Sequence, residues 1–406
     1  MKYIVMLGDG MADYPIDELS GMTPLGASKK PFMDGLARKG RTGMVRTVPE
    51  GMPPQSDTAN LSVMGYAPKV YYTGRSPLEA VSMGVELGEK DVAMRCNLVT
   101  VSDAENYEDA DMLDYSADEI TTEEARVLIE FLAEHFAKDG IDLYAGISYR
   151  HCFVLRNSHT GAVLTPPHDI SLKPIKEFLP KGEHAELLFG IMKKSYELLK
   201  DHPVNIDRVK RGLRPANSCW FWGEGTKPAL MSFEEKYGVK GGVVCAVDLI
   251  KGLGLCAGMK VPFVEGATGG VVTNYSGKAE AALKLLVEDG CDLVYIHVEA
   301  PDESGHKGSV KCKMDAIEHI DSDILGYILP ELELRGEQYS VLLLPDHPTP
   351  ISLMTHVGDP VPFVIYRSDK ELLPHAEVYN EKEAAQTGVF VENGHELMGM
   401  FIKGEF

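Results

Sequence analysis

Three unbroken apolar runs, each followed within a few residues by an aspartate, restrict the possible folds of this chain more than any other feature. Tyr3-Ile4-Val5-Met6-Leu7 ends at Gly8-Asp9-Gly10. Leu293-Val294-Tyr295-Ile296-His297-Val298 leads into Glu299-Ala300-Pro301-Asp302, and Tyr339-Ser340-Val341-Leu342-Leu343-Leu344 leads into Pro345-Asp346-His347. Apolar runs without alternation, bounded by glycine or proline, suit strands of a parallel sheet covered on both faces. Helical patterns over 279–288 and 313–329 lie between the runs. The predicted fold class is α/β, a mostly parallel sheet sandwiched by helices. Ligands of such sheets gather outside the carboxyl ends of the strands, where all three aspartates fall.

From about 75 to 237 the pattern changes. Short strands are expected at 94–101 and 153–155, and amphipathic helices at 123–137 and 185–200, separated by loops rich in Pro, His and Asn. This predicts a smaller α+β domain of residues 75–237 inserted into a discontinuous domain of residues 1–74 and 238–406. A length of 406 residues accommodates two such cores.

Hydrophobic residues at 44% and charged residues at 25% place the chain in the soluble globular class. A net charge of −21 repels phosphate backbones and argues against nucleic acid as a partner. A small phosphorylated substrate would need bound cations or clustered arginines to reverse that field. No run approaches the roughly 20 apolar residues of a membrane span. The N-terminal run is too short for a signal peptide and lacks a cleavage pattern. Seven scattered cysteines without a Cys-x-x-Cys pair read as reduced thiols. The expectation is a cytoplasmic protein without a membrane partner; no pattern specifies an oligomeric state.

The polar residues at the strand ends form a set. Asp302 and His306 stand four apart, with Gly305 expected to allow a tight turn; Asp346-His347 closes a strand, His356 follows nine residues later, and Asp9 closes the first strand. Carboxylate with imidazole suits Mn²⁺, Zn²⁺ or similar ions, and two such ions can hold both oxygens of an in-line phosphoryl transfer. Taken singly these residues are ordinary: Asp-x-x-x-His is commonly a surface pair, and Asp346-His347-Pro348 or Asp9 could be a turn. Their shared sheet edge is what makes a metal site the better reading.

Ser56, in Pro53-Pro54-Gln55-Ser56-Asp57-Thr58-Ala59-Asn60, precedes a helical run. It reads either as an N-cap or as a nucleophile at a helix N-terminus, where free N–H groups favour a phosphate. Competing motifs are poor. There is no P-loop and no His-Glu-x-x-His. Gly252-Leu253-Gly254-Leu255-Cys256-Ala257 loosely fits a dinucleotide fingerprint, but it closes a helical pattern instead of following a strand. In the inserted region Arg150, His151, Arg214 and Asn217 are candidate substrate-binding residues, because arginine pairs bidentately with phosphate or carboxylate. His151 could be a general base or a packed residue at a strand start. Trp220 and Trp222 read as core or domain interface.

Longer stretches resemble the archaeal-type, cofactor-independent phosphoglycerate mutases of the alkaline phosphatase superfamily. The resemblance is carried by Gly8-Asp9-Gly10, Ser56-Asp57-Thr58-Ala59-Asn60-Leu61-Ser62, Gly74-Arg75-Ser76-Pro77-Leu78-Glu79-Ala80, Arg95-Cys96-Asn97-Leu98-Val99-Thr100 and Glu265-Gly266-Ala267-Thr268-Gly269. It continues in 297–306 and in Pro345-Asp346-His347-Pro348-Thr349-Pro350. It implies an alkaline-phosphatase-like domain carrying an inserted substrate domain. It also implies two divalent metal ions, Mn²⁺ first with Zn²⁺, Co²⁺ or Mg²⁺ as alternatives, and no 2,3-bisphosphoglycerate. Asp302, His306 and His356 would hold one ion, and Asp9, Ser56, Asp346 and His347 the other. Gln55 departs from the pattern, which has glycine before the serine. The implied activity is interconversion of 3-phosphoglycerate and 2-phosphoglycerate through a phosphoserine. The alternative is phosphoryl transfer to another small hydroxy compound, such as homoserine.

Overall fold

The computed structural model describes residues 1–137 and 140–405. The chain divides into two units, Met1–Tyr72 with Leu230–Phe406, and Thr73–Ala229. The expected boundaries therefore shift, and side-chain bonds show why. Lys236 and Tyr237, in the helix Phe233–Tyr237, both donate to the Gly65 carbonyl, and Tyr66 Oη donates to Met231 O at 2.8 Å. Residues 230–237 thus belong with the first unit, whereas Thr73 Oγ1 donates to Thr226 O within the second.

The first unit is built on a seven-stranded sheet in the order Gly241–Val244, Leu293–Val298, Lys2–Gly8, Tyr339–Leu344, Val361–Arg367, Arg41–Val45, Phe390–Val391. Only Val361–Arg367 runs against its neighbours; the other pairings are parallel. Leu293–Val298 and Tyr339–Leu344 are buried along their whole length, as their unalternating apolar sequences require. Helices Tyr275–Val287 and Gly326–Leu334 contribute Ala282, Leu286, Ile328 and Leu332 to the same core as Ile4, Val294 and Val341. The expected helix over 313–329 is divided into Val310–His319, a π-helical turn Ile320–Leu325 and Gly326–Leu334. Register places Gly8 beside Val298 and Leu7 beside Leu344, so Asp9, Glu299 and Asp346 leave the sheet at one edge.

The second unit has an antiparallel sheet in which Val92–Val101 pairs with Arg150–Leu155, Ser218–Thr226 and Met112–Asp114. Helices Thr122–Phe136 and Ala185–Leu199 bury Leu128, Leu132, Leu188 and Met192 in its core. Trp220 belongs to that core, and Trp222 donates from Nε1 to Asn97 Oδ1 at 2.9 Å.

Gly252 and Gly254 lie inside the helix Asp248–Cys256, and a Cβ on Gly254 would meet Val243 at 2.8 Å. Gly254 lets the helix approach the sheet, and neither glycine lies in a dinucleotide loop. All seven cysteines are free thiols, and no helix among the described residues is long and apolar enough to cross a membrane.

Candidate metal and phosphoryl-transfer site

The site lies at the carboxyl edge of the first unit's sheet. Asp302 and His306 sit four apart on the helix Ala300–His306, which puts both on one face; no tight turn separates them. Gly305 serves a different purpose from the expected one: a Cβ there would come 2.5 Å from Thr349 O, so only glycine lets this helix touch the 346–350 segment.

Asp302 Oδ2 lies 3.2 Å from His306 Nε2, and Asp302 Oδ1 lies 3.3 Å from His356 Nε2. His347 Nε2 is 3.5 Å from Asp9 Oδ1, 3.4 Å from Asp346 Oδ2 and 3.3 Å from Ser56 Oγ. The seven residues expected at the metal site are thus linked into two adjoining clusters. Ser56 is the first residue of the helix Ser56–Val63, and Gln55 occupies the N-cap position with an exposed side chain. The N-cap reading of Ser56 is therefore replaced by a hydroxyl aimed at His347.

Backbone and side-chain bonds fix these donors. Asp346 accepts from Gly10 N at 3.0 Å, His347 N at 2.9 Å and Asn60 Nδ2 at 2.9 Å. The Thr349 hydroxyl donates to Asp302 Oδ1 at 2.5 Å and lies 3.3 Å from His347 Nδ1. His306 Nδ1 bonds to Met354 O and His356 Nδ1 to Pro54 O, each at 3.0 Å. Each of these three rings thereby anchors Nδ1 on oxygen and turns Nε2 inward, the arrangement typical of metal-binding histidines.

The electrostatics point the same way. Burial, followed by the charges of Asp346, Glu299 and Asp302, raises Asp9 well above the usual carboxylate range. Burial would also raise Asp302, but hydrogen bonds from His306 and His356 and nearby imidazole charge hold it well below that range. The bond to Asp302 lifts His306 to about 9. Burial lowers His347. Asp9 Oδ1 is buried without a hydrogen-bond partner. Converging carboxylates, inward-facing Nε2 atoms and an unpaired buried oxygen fit divalent cations, which would neutralise what the protein alone leaves unbalanced.

Sequence reasoning missed four contributors. Asn60 sits four residues after Ser56 on the same helix face and bridges Asp346 to Tyr295. Thr349 links Asp302 with His347. His297 lies 2.9 Å from Asp9 Oδ2, and burial pushes it down to about 3, so its ring is neutral. Glu299 completes a third group with Asp9 and His297. A histidine inside an otherwise apolar strand was the available signal.

The candidates of the second unit have diverse surroundings. Arg150 is exposed, 5.5 Å from the Tyr149 ring centre. Arg214 pairs with Asp114 at 3.2 Å and remains half exposed. His151 is buried, accepts from Gly146 N at 3.1 Å, and is pushed by burial to about 3. Asn217 spends both ends of its amide on Val101, accepting at 2.8 Å and donating at 2.9 Å.

Comparison with known proteins gives the family. A relative from Methanothrix thermoacetophila, a 2,3-bisphosphoglycerate-independent phosphoglycerate mutase, is 51% identical over 404 residues covering 100% of each chain. The chain belongs to the 2,3-bisphosphoglycerate-independent phosphoglycerate mutase family. The Methanosarcina barkeri member is 48% identical, again over 100% of both chains. A family model described as 2,3-bisphosphoglycerate-independent phosphoglycerate mutase matches residues 37–205. Among solved structures, a Pyrococcus horikoshii protein gives a TM-score of 0.83 at 31% identity, covering 99% of this chain and 96% of that one. The cofactor-independent phosphoglycerate mutase of Thermoplasma acidophilum gives 0.71 at 26% identity, covering 100% of both chains. Membership of the mutase family extends over both units.

Proposed function

We propose that this chain interconverts 3-phosphoglycerate and 2-phosphoglycerate through a phosphoserine on Ser56, without 2,3-bisphosphoglycerate. The observation that carries the reading is Ser56 Oγ at the first turn of a helix, 3.3 Å from His347 Nε2, a nitrogen that also lies 3.5 Å from Asp9 Oδ1 and 3.4 Å from Asp346 Oδ2. Two divalent cations, Mn²⁺ first, would be held by Asp302, His306 and His356 and by Asp9, Asp346, His347 and Ser56. Such ions supply a lowered pKa at a bound hydroxyl and charge neutralisation at phosphoryl oxygens.

The residues' own tasks follow. Ser56 Oγ gives up its proton and bonds to phosphorus, while the bond from phosphorus to the 3-oxygen breaks and that oxygen takes a proton. The 2-hydroxyl of the retained glycerate then loses its proton and bonds to phosphorus, while the bond from phosphorus to Ser56 Oγ breaks and that oxygen takes a proton back. Ser56 N–H and Asp57 N–H open the Ser56–Val63 helix, ahead of the Thr58 N–H that donates to Asp57 Oδ1 at 2.8 Å, and they are the groups proposed to receive phosphoryl oxygens. Arg150 and Arg214 are the guanidinium groups proposed to bind the substrate's anionic ends, with His151 and Asn217 as the neutral groups proposed beside them. A cytoplasmic setting suits free thiols and a phosphorylated metabolite.

The test is isomerisation of 3-phosphoglycerate by Mn²⁺-loaded protein without bisphosphoglycerate, with intact-mass detection of phosphate on Ser56. No 2-phosphoglycerate from fully metallated protein sinks the proposal. Phosphohomoserine formed faster from homoserine and ATP would transfer it to the alternative substrate.

A further inference from the structure

The third group, Asp9, His297 and Glu299, uses the same donor types as the two metal clusters, and its ligand atoms lie within 4.8 Å of one another. Two arrangements fit it. Either the three side chains hold a further cation, or His297 donates a hydrogen bond to Asp9. The far nitrogen of the His297 ring separates them.

His306, His347 and His356 each have an oxygen within reach of Nδ1, namely Met354 O, Thr349 Oγ1 and Pro54 O. The proton can therefore reside on Nδ1 and the lone pair on Nε2. His297 differs: its Nδ1 is buried with no hydrogen-bond partner among the described residues. A cation on His297 Nε2 would force the proton onto Nδ1 and strand a buried N–H. Orphaned buried N–H groups are rarer than under-satisfied acceptors. With the proton on Nε2, the ring makes a good hydrogen bond to Asp9 Oδ2 at 2.9 Å, with both side chains fully buried. Glu299 Oε2, 3.9 Å from the same nitrogen, is beyond hydrogen-bonding distance and does not compete for that proton.

The two oxygens of Asp9 are thereby given different tasks. Oδ2 is taken by His297, and Oδ1, without a hydrogen-bond partner, faces His347 Nε2 at 3.5 Å. We infer that His297 is a positioning residue: its Nε2–H locks the Asp9 carboxylate so that Oδ1 is presented to the cation site shared with Asp346 and His347. The inference rests on the two-cation reading proposed above. It assigns His297 no contact with substrate or metal.

Mn²⁺ binding to the full chain, measured by calorimetric titration together with elemental metal counts, tests it. In His297→Leu the ion at Asp9, Asp346 and His347 should weaken about 10- to 100-fold, the usual effect of losing a partner of a metal ligand. The ion at Asp302, His306 and His356 should keep its affinity. His297→Gln, which can return an N–H near the same point, should recover most of the loss. Equal affinities in His297→Leu and wild type overturn the inference. So does a wild type that binds three ions and loses the third in His297→Leu, because His297 would then be a ligand. If His297→Leu does not fold, His297→Gln decides: loss of the ion there overturns the donor role. A wild type that binds no ion overturns the two-cation reading, and this inference with it.

Discussion

His306 Nε2 lies 2.8 Å from His356 Nε2, and both rings have already committed Nδ1 to carbonyl oxygens. Two such nitrogens at that separation require a proton or a cation between them. Without metal, His306 holds a proton up to about 9, chiefly through its hydrogen bond to Asp302. Metal uptake at pH 7 should therefore release about one proton from this ring, and affinity should rise with pH up to about 9. The same shift sets a stability trend. The folded value lies above the ordinary 6.5, so its contribution to the metal-free protein is complete below pH 6.5 and lost as pH rises through about 9. Calorimetry in buffers of different ionisation enthalpy reads the first effect and apo-protein melts read the second. Metal binding without proton release would contradict the assignment.

Ser56→Ala should reduce turnover by several orders of magnitude, because no covalent intermediate can form. Stability should change by less than about 1 kcal/mol, since Gln55 and not Ser56 holds the N-cap position. Intact-mass analysis should find phosphate on the wild type alone. More than a few per cent residual activity would require direct transfer between bound substrates.

Thr349→Val keeps the shape of the side chain and removes the hydroxyl that joins Asp302 to His347. A hydrogen bond to a charged group is worth about 1.5–3 kcal/mol. Both ions should bind more weakly, and Thr349→Ser should restore them. Unchanged metal affinity in the valine variant would show that Asp302 and His347 are positioned independently.

Gly10→Ala should disturb the site more than the fold. Its φ is +58°, and an added Cβ would meet Thr349 Oγ1 at 2.5 Å and Asp302 Oδ1 at 2.6 Å. The left-handed backbone costs a non-glycine residue about 1 kcal/mol, and the contacts push directly on a metal-facing carboxylate. Loss of metal with retained far-ultraviolet circular dichroism is the expected pair of results.

Lys313 and Asp13 form a buried ion pair at 2.7 Å, and Lys313 also donates to Ala12 O at 3.1 Å and Thr349 O at 2.9 Å. Lys313→Met leaves Asp13 buried without its cation. The expected destabilisation is about 3–5 kcal/mol, measured by denaturant unfolding of the apo-protein. Replacing both partners with apolar residues should cost less than replacing Lys313 alone.

Much of the architecture was legible because parallel strands covered on both faces must be continuously apolar, and their ends were marked by aspartate. Asp9, Asp302 and Asp346 could be placed at one edge from the strand pattern, and residue type beside those strand ends and before a helix singled out His306, His347, His356 and Ser56. The unit boundaries were less legible, because the Lys236 and Tyr237 bonds to Gly65 leave no local pattern. The bonds between Asn217 and Val101 were not legible either, because sequence shows an amide in a polar loop but not which backbone it meets.

The sequence by itself determined which chemical groups are present and which strand ends carry them, since hydrophobic periodicity and residue type are local properties. Only the tertiary structure decided how those groups are turned. Nδ1 anchoring on Met354 and Pro54, the Thr349 bridge, and the His297 bond to Asp9 join residues distant in the chain. Hydrogen-bond direction and burial set tautomers and protonation states, and both arise only when packing brings those segments together.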